Sequence, residues 1–304
     1  MNIKSFSKIS LFVFLLSISL FSQSGGKSGL SFLKFGFGAR NIALGDAGSA
    51  FSNDVTALFY NPAKLAGKNN SELMLMHNSW IQDIRSEVIG AKTSFWGLPV
   101  AVGFIVTSIN DIEVRNRVGD PEATFNANYF SGSIATGFKL NSSFDVGFSV
   151  KYLYENIFVD ESNGFGIDLG VVYKSPVKDL NISVAVRNIG SMNSLRSTAT
   201  KLPTELRIGT SYLYSITDSK INLTGGLEYL SYLRENENHI NIGLEATYNN
   251  SFSLRGGYQS GYESKGITAG VGIKWGNLFI DYAYVPFKLG LGNASLFSIQ
   301  FDFN

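Results

Sequence analysis

The chain contains no cysteine and only two histidines. Without cysteine there can be no disulfide framework, no thiolate metal site and no lipid attached at an N-terminal Cys. His77 and His239 stand in no recognisable Ser or Asp constellation and match no metal-ligand spacing, so no catalytic residue, metal or cofactor is expected. Charge is sparse at 16% and balanced, with 25 Lys and Arg against 24 Asp and Glu and a formal net charge of +1. That balance offers neither a basic field for nucleic acid nor an acidic tail. After the first two dozen residues there is no unbroken apolar run of about 18 residues, which excludes helical spans. The mean hydropathy of +0.08 agrees, since a helical membrane protein would be more apolar.

Glycine (32), phenylalanine (24) and tyrosine (14) are plentiful. From Glu72 to Phe303 they fall into stretches of about ten residues that alternate between apolar and polar. Phe144, Val146, Phe148, Val150, Tyr152 and Tyr154 share one face, while Asp145, Gly147, Ser149, Lys151 and Glu155 share the other, with Leu153 the misfit. Phe165, Ile167, Leu169, Val171 and Tyr173 repeat the arrangement, with Val172 out of step. A strand with lipid on one side and a lumen on the other must alternate in this way, and its backbone groups must pair with neighbouring strands. The fold expected is all-β: a transmembrane antiparallel β-barrel of about fourteen strands, near 72–78, 86–96, 98–108, 125–140, 143–157, 163–174, 179–189, 204–214, 219–230, 238–248, 251–260, 265–275, 277–285 and 294–303. A register slip is expected near Tyr129.

Connections alternate between tight turns such as Gly97-Leu98, Asn249-Asn250 and Gly276-Asn277 and longer stretches such as 109–124, 190–203 and 286–293. Short turns belong to the periplasmic rim, and even strand parity then puts both mature termini in the periplasm. Tyrosines near strand ends, among them Tyr152, Tyr173, Tyr212, Tyr248 and Tyr284, read as interfacial girdles. The polar faces carry both signs of charge, including Lys151, Asp168, Arg187, Glu205, Arg207, Glu228, Glu245 and Arg255, which suits a self-paired lumen. Gly225-Gly226 and Gly256-Gly257 fit bulges or tight lumen packing.

The first residues read as a signal peptide, 1–22. Lys4 and Lys8 precede an apolar core from Ile9 to Phe21, with cleavage near Ser22 or Gln23. An exported chain with this pattern is expected in a bacterial outer membrane, surrounded by its lipid. The domains expected are thus the signal, an N-terminal segment 23–70 and a barrel 71–304. Small residues at Ala43, Gly45, Ala47, Gly48 and Ala50 would let the N-terminal segment pack inside the barrel as a plug. Asn61 can cap a short helix that starts at Pro62.

That segment holds Gly38-Ala39-Arg40, Leu44-Gly45-Asp46-Ala47-Gly48, Asn53-Asp54 and Asn61-Pro62-Ala63. In this order, ahead of a barrel of about fourteen strands, it resembles the PorV/PorQ family of outer-membrane proteins, which are similar in fold to the FadL long-chain fatty-acid transporters. The departures are Asp46 after Gly45, Asn53 before Asp54 and Lys64 after Asn-Pro-Ala. The resemblance marks Gly38, Ala39, Arg40, Gly45, Asp54, Asn61, Pro62 and Ala63 as motif residues. It implies a non-catalytic component of type IX protein secretion and surface attachment, with a translocon or sortase-like complex as partner. The alternatives are a FadL-like channel for long-chain fatty acids or other hydrophobic small molecules, and a structural or pore-forming barrel with no specific partner.

Overall fold

The computed structural model describes residues 28–67 and 70–303. The signal segment and its cleavage position lie outside the described residues. The barrel strands are β1 (Ser71–Ser79), β2 (Arg85–Phe95), β3 (Leu98–Val114), β4 (Ala123–Lys139), β5 (Phe144–Ile157), β6 (Asp160–Lys174), β7 (Leu180–Met192), β10 (Glu205–Ile216), β11 (Ile221–Tyr232), β12 (Glu237–Tyr248), β13 (Phe252–Ser260), β14 (Ile267–Trp275), β15 (Leu278–Pro286) and β16 (Asn293–Phe303). Between β7 and β10, β8 (Ser194–Leu195) and β9 (Thr198–Ala199) form a separate small ribbon. The fourteen barrel strands pair in sequence order, all antiparallel, and β16 returns to β1 from Ser71↔Phe303 to Ser79↔Ser295. Closure leaves no open edge, so the backbone polar groups of the wall are satisfied within it.

Side chains obey the alternation. Phe148, Val150, Phe165 and Ile167 face outward, while Ser149, Lys151 and Asp168 are buried inside. Both misfits face inward: Leu153 is fully buried in the same apolar cluster as Phe37, Leu58 and Tyr60, and Val172 is buried as well. The tight turns sit at one rim. Trp96 with Gly97, and Asn249 with Asn250, adopt positive φ in pairs, as type I′ hairpins require.

Four features differ from the expectations. β3 and β4 each run 17 residues, well beyond the 9–11 that cross a bilayer, so much of the expected loop 109–124 is strand. Past Ser108 the alternation inverts because the hairpin has left the lipid, and the lipid-facing pattern no longer applies. Tyr129 is in register with both Thr107 and Glu155; the irregularities fall between Ile109 and Ile112 and between Ile167 and Leu169. The ladder through Gly225-Gly226 and Gly256-Gly257 is continuous, so these pairs are not bulges. Finally, the ends of the described chain lie at opposite rims. Ser71 and Phe303 share the short-turn rim, but Ser28 reaches Glu235 in the β11–β12 loop, at the long-loop rim. Strand parity governs only the barrel, and the segment ahead of β1 crosses the lumen.

Candidate functional site

Residues 28–67 fill the lumen. Two 3₁₀ turns (Ser31–Lys34 and Pro62–Gly67) flank three short helices, α1 (Ala39–Ala43), α2 (Gly48–Phe51) and α3 (Ala57–Tyr60). None of these helices is long enough to be stable alone, so the wall around them holds them in place. Phe37, Leu58, Phe59, Tyr60 and Leu65 are buried against Met74, Val88, Ile105 and Leu153 of the wall. Each such side chain contributes roughly 1.5–3 kcal/mol on removal from water.

A belt of inward-facing glycines admits the segment's backbone to the wall. Gly137, Gly147 and Gly170 are cross-strand neighbours on β4, β5 and β6. A Cβ on Gly137 would stand 2.6 Å from the Pro62 carbonyl oxygen, and one on Gly147 would stand 2.5 Å from the Ala63 nitrogen. Across the lumen Gly226, Gly243 and Gly257 form a second row on β11, β12 and β13, pressed by Phe51, Leu44 and Gly45. Gly209 and Gly270 receive Ala50 and Ala43 in the same manner.

Between these contacts lies a dry ionic core. Arg207 donates to Glu228 at 2.7 Å and to Glu205 at 2.9 Å, and reaches the Asp46 carboxylate at 3.5 Å. Arg187 pairs with the same Glu205 oxygen at 2.5 Å. The Tyr60 hydroxyl donates to Asp46 at 2.5 Å and accepts from the Phe37 N–H at 2.8 Å, while Arg207 stacks 5.2 Å from its ring. Ser49 N–H donates to Glu228 at 2.7 Å, tying α2 to β11. The interleaved charges of the polar faces are thus spent on one another and on the segment.

The motif residues divide into two groups. Gly38 (φ 80) and Gly45 (φ 73) bracket α1, which carries Ala39 and Arg40. Arg40 forms a two-pronged pair with Glu245 at 2.9 and 2.8 Å, and Asp54 lines the same cavity as both. Asn61, Pro62 and Ala63 lie on the other wall. The Asn61 side chain accepts from the Ala63 N–H at 3.0 Å, a cap for the following turn, and donates to the carbonyls of Val171 and Val184. In the sequence the belt leaves only a faint trace, inward-facing glycines such as Gly147 and Gly170 on the polar faces of their strands.

Lys64 of the last turn donates to the Ala50 carbonyl at 2.6 Å and has no ion-pair partner among the described residues.

Two cavities flank the segment. One, of about 260 Å³, opens at the short-turn rim between Arg40, Asp54, Glu72, Glu245, Arg255 and Asp281. The other, of about 760 Å³, lies at the long-loop rim beside Ser28, Gly29, Thr200, Lys201 and Arg234. Beside it the segment is strapped down by Lys34 on Glu235 at 2.6 Å and by Gly29 N–H on the Lys201 carbonyl at 3.0 Å. An aromatic lid continues around this rim. Phe35 stacks on Trp80 at 5.0 Å, Phe287 meets Trp80 edge-on, and Lys265 sits 4.1 Å from the Tyr262 ring, its amine pushed down to about 8 by burial. His239 stacks on the same tyrosine at 3.7 Å.

Above the lid the wall rises as a four-stranded awning made of the upper parts of β3 to β6. Its outward row is polar, with Ser108 paired to Asn128, Asn128 to Asn156 and Asn156 to Glu161. The lumen-side row is apolar: Ile109 pairs with Ala127, Ile112 with Phe125, and Ala127 with Ile157. Phe125 packs on Phe158 at 5.6 Å, and Tyr129 on Phe32 of the N-terminal segment at 5.5 Å. An apolar, partly exposed face therefore overlooks the mouth of the barrel.

No protein-family model matches the chain, and no curated protein matches it. Solved structures do match. The CymD monoaromatic hydrocarbon channel superposes with a TM-score of 0.61 at 12% identity, over 88% of this chain and 96% of that one. The Pseudomonas putida toluene transporter TodX gives 0.60 at 13% identity, over 88% and 96%. A Pseudomonas aeruginosa FadL homologue gives 0.53 at 13%, over 84% and 95%. The chain has a FadL-like fold. At these identities the likeness speaks for the architecture of the FadL-like barrel, and function must be argued from its own residues.

Proposed function

We propose that this FadL-like barrel sits in a bacterial outer membrane and conducts small apolar molecules inward from the long-loop side, past residues 28–67 acting as a plug. The observation that carries this reading is the inverted polarity of the awning. Within the lipid belt the wall is apolar outside, and its inner face is covered by residues 28–67; beyond it the outward row turns polar and Ile109, Ile112, Phe125 and Ile157 turn an apolar face to the mouth. Such a face is costly in water unless it meets apolar solutes or partners. The fold shared with hydrocarbon channels supports the same reading. The molecules in view are long-chain fatty acids and other hydrophobic small molecules, and the work is transport rather than catalysis. The secretion role implied by the PorV/PorQ resemblance has no comparable support, because the similar structures are channels and transporters. With the long loops outside, Phe303 is periplasmic and Ser28 lies at the external mouth.

The reading is tested by the uptake of labelled naphthalene and decanoate in cells whose lipopolysaccharide outer membrane excludes both. Expression of the protein should accelerate uptake severalfold, and the double variant Ile112→Asp, Phe125→Asp should return it to background. Equal uptake with and without the protein would refute it.

A further inference from the structure

The motif around α1 is not explained by capture at the mouth. Gly38 and Gly45, both at positive φ, bracket a five-residue helix, and each is pinned to the wall. Gly38 N–H meets the Met76 sulfur at 3.0 Å. Gly45 N–H donates to Thr268 at 3.1 Å, and its carbonyl accepts from Gln259 at 3.1 Å. Between these fixed points α1 touches the wall through Arg40 on Glu245, Ala39 N–H on Ser298 at 3.2 Å, the Ala43 carbonyl, which accepts from the Thr268 hydroxyl at 2.9 Å, and the Ala43 side chain on Gly270. The other ionic fasteners of the segment in mid-lumen are dry, with Arg207 and Glu228 at 1% and 0% side-chain exposure. Arg40 is different: its side chain is 21% exposed, toward the short-turn cavity, so water and salt reach that pair.

Resting on the channel reading, we infer that α1 is a shutter, hinged at Gly38 and Gly45 and latched by Arg40 to Glu245, whose opening joins the long-loop rim to the short-turn cavity. The passage then runs axially along β12 to β16. The rest of the segment stays seated: Asp46 remains on Arg207, and Asn61 to Ala63 remain on the glycines of β4 to β6. Arg255 acts as the keeper of the latch. It holds Glu245 at 2.6 Å and Asp281 at 2.6 Å, so the carboxylate stays in place when Arg40 leaves. A bidentate guanidinium suits this role because it locks orientation as well as charge.

The absence of native cysteine makes the shutter directly testable. The Ala39→Cys, Ser298→Cys pair should bridge α1 to β16, where the Ala39 amide already meets the Ser298 hydroxyl. In planar bilayers in potassium chloride, the wild type should show rare openings. Arg40→Ala should raise the open fraction at least tenfold, and the milder Arg40→Lys should raise it less. Adding the cysteine pair to Arg40→Ala should silence the openings until a reductant is added. Heat-modifiable migration certifies that each variant is a folded barrel. An Arg40→Ala barrel that stays as closed as the wild type, or openings that persist when the pair is oxidised, would overturn the shutter. Ion conductance needs no apolar ligand, so this outcome is independent of the uptake experiment on which the channel reading stands.

Discussion

An Arg207→Ala variant should lose about 3–5 kcal/mol of unfolding free energy, read by urea titration in lipid vesicles. Among the described residues Arg207 is the one cation that touches Glu205, Glu228 and Asp46 together. Its removal leaves Glu228 hydrogen-bonded to the Ser49 amide and the Asp46 carboxylate to the Tyr60 hydroxyl, in a site where the arginine side chain was 1% exposed. Uncompensated charge in such a place costs far more than the pair contributed in the first place. Arg207→Lys should fall between, because an ammonium keeps the charge but cannot reach three carboxylates with a planar fork. A loss below about 1 kcal/mol for the alanine variant would mean that water enters the centre of the lumen freely, contrary to the packing described here.

Gly147→Val should be nearly as damaging, by overpacking instead of charge. Its new Cβ would sit 2.5 Å from the Ala63 nitrogen and the Pro62 carbonyl carbon, backbone atoms that cannot rotate away as a side chain could. Overpacking of this kind costs about 1–3 kcal/mol where a core can shift. Here the neighbouring Gly137 and Gly170 hold the same turn in place, so displacement of Asn61 to Lys64 from the wall is expected. Limited proteolysis should then cut within 55–67, which is sheltered in the wild type. Gly256→Val is the control: that glycine faces outward with nothing within 4 Å of a new Cβ, and the variant should behave as the parent does. Equal protease resistance in both variants would count against the belt.

The barrel was legible because a lipid-facing wall imposes a period of two on sequence, and that period survives to Phe303. Even the exceptions carried information: Leu153 breaks the alternation because it meets the apolar side of the N-terminal segment. What sequence reading missed lies where that period loses its meaning. Beyond Ser108 the hairpin stands in water, polar and apolar faces exchange, and the lipid-facing alternation no longer marks the strand. The glycine belt was hidden because an inward glycine is as compatible with an open lumen as with a filled one; only the backbone of Pro62 and Ala63 against Gly137 and Gly147 tells them apart. Asn61 as a cap was visible from Asn-Pro alone, whereas its bonds to Val171 and Val184 join positions far apart in the chain. Likewise Glu245 stood among the polar-face charges, but nothing in the order of residues paired it with Arg40.

The seam between β1 and β16 imposes an order on biogenesis. The segment that precedes β1 in the chain ends up enclosed by a cylinder that closes only when β16, the last of its strands in chain order, meets β1. Threading forty residues through a finished ring would demand that the dry ionic core form from solvent-filled space. Wrapping the wall around a waiting guest avoids that step. Each sheet pairing can then close over its own patch of the guest, and the final zip of Phe303 against Ser71 shuts the enclosure.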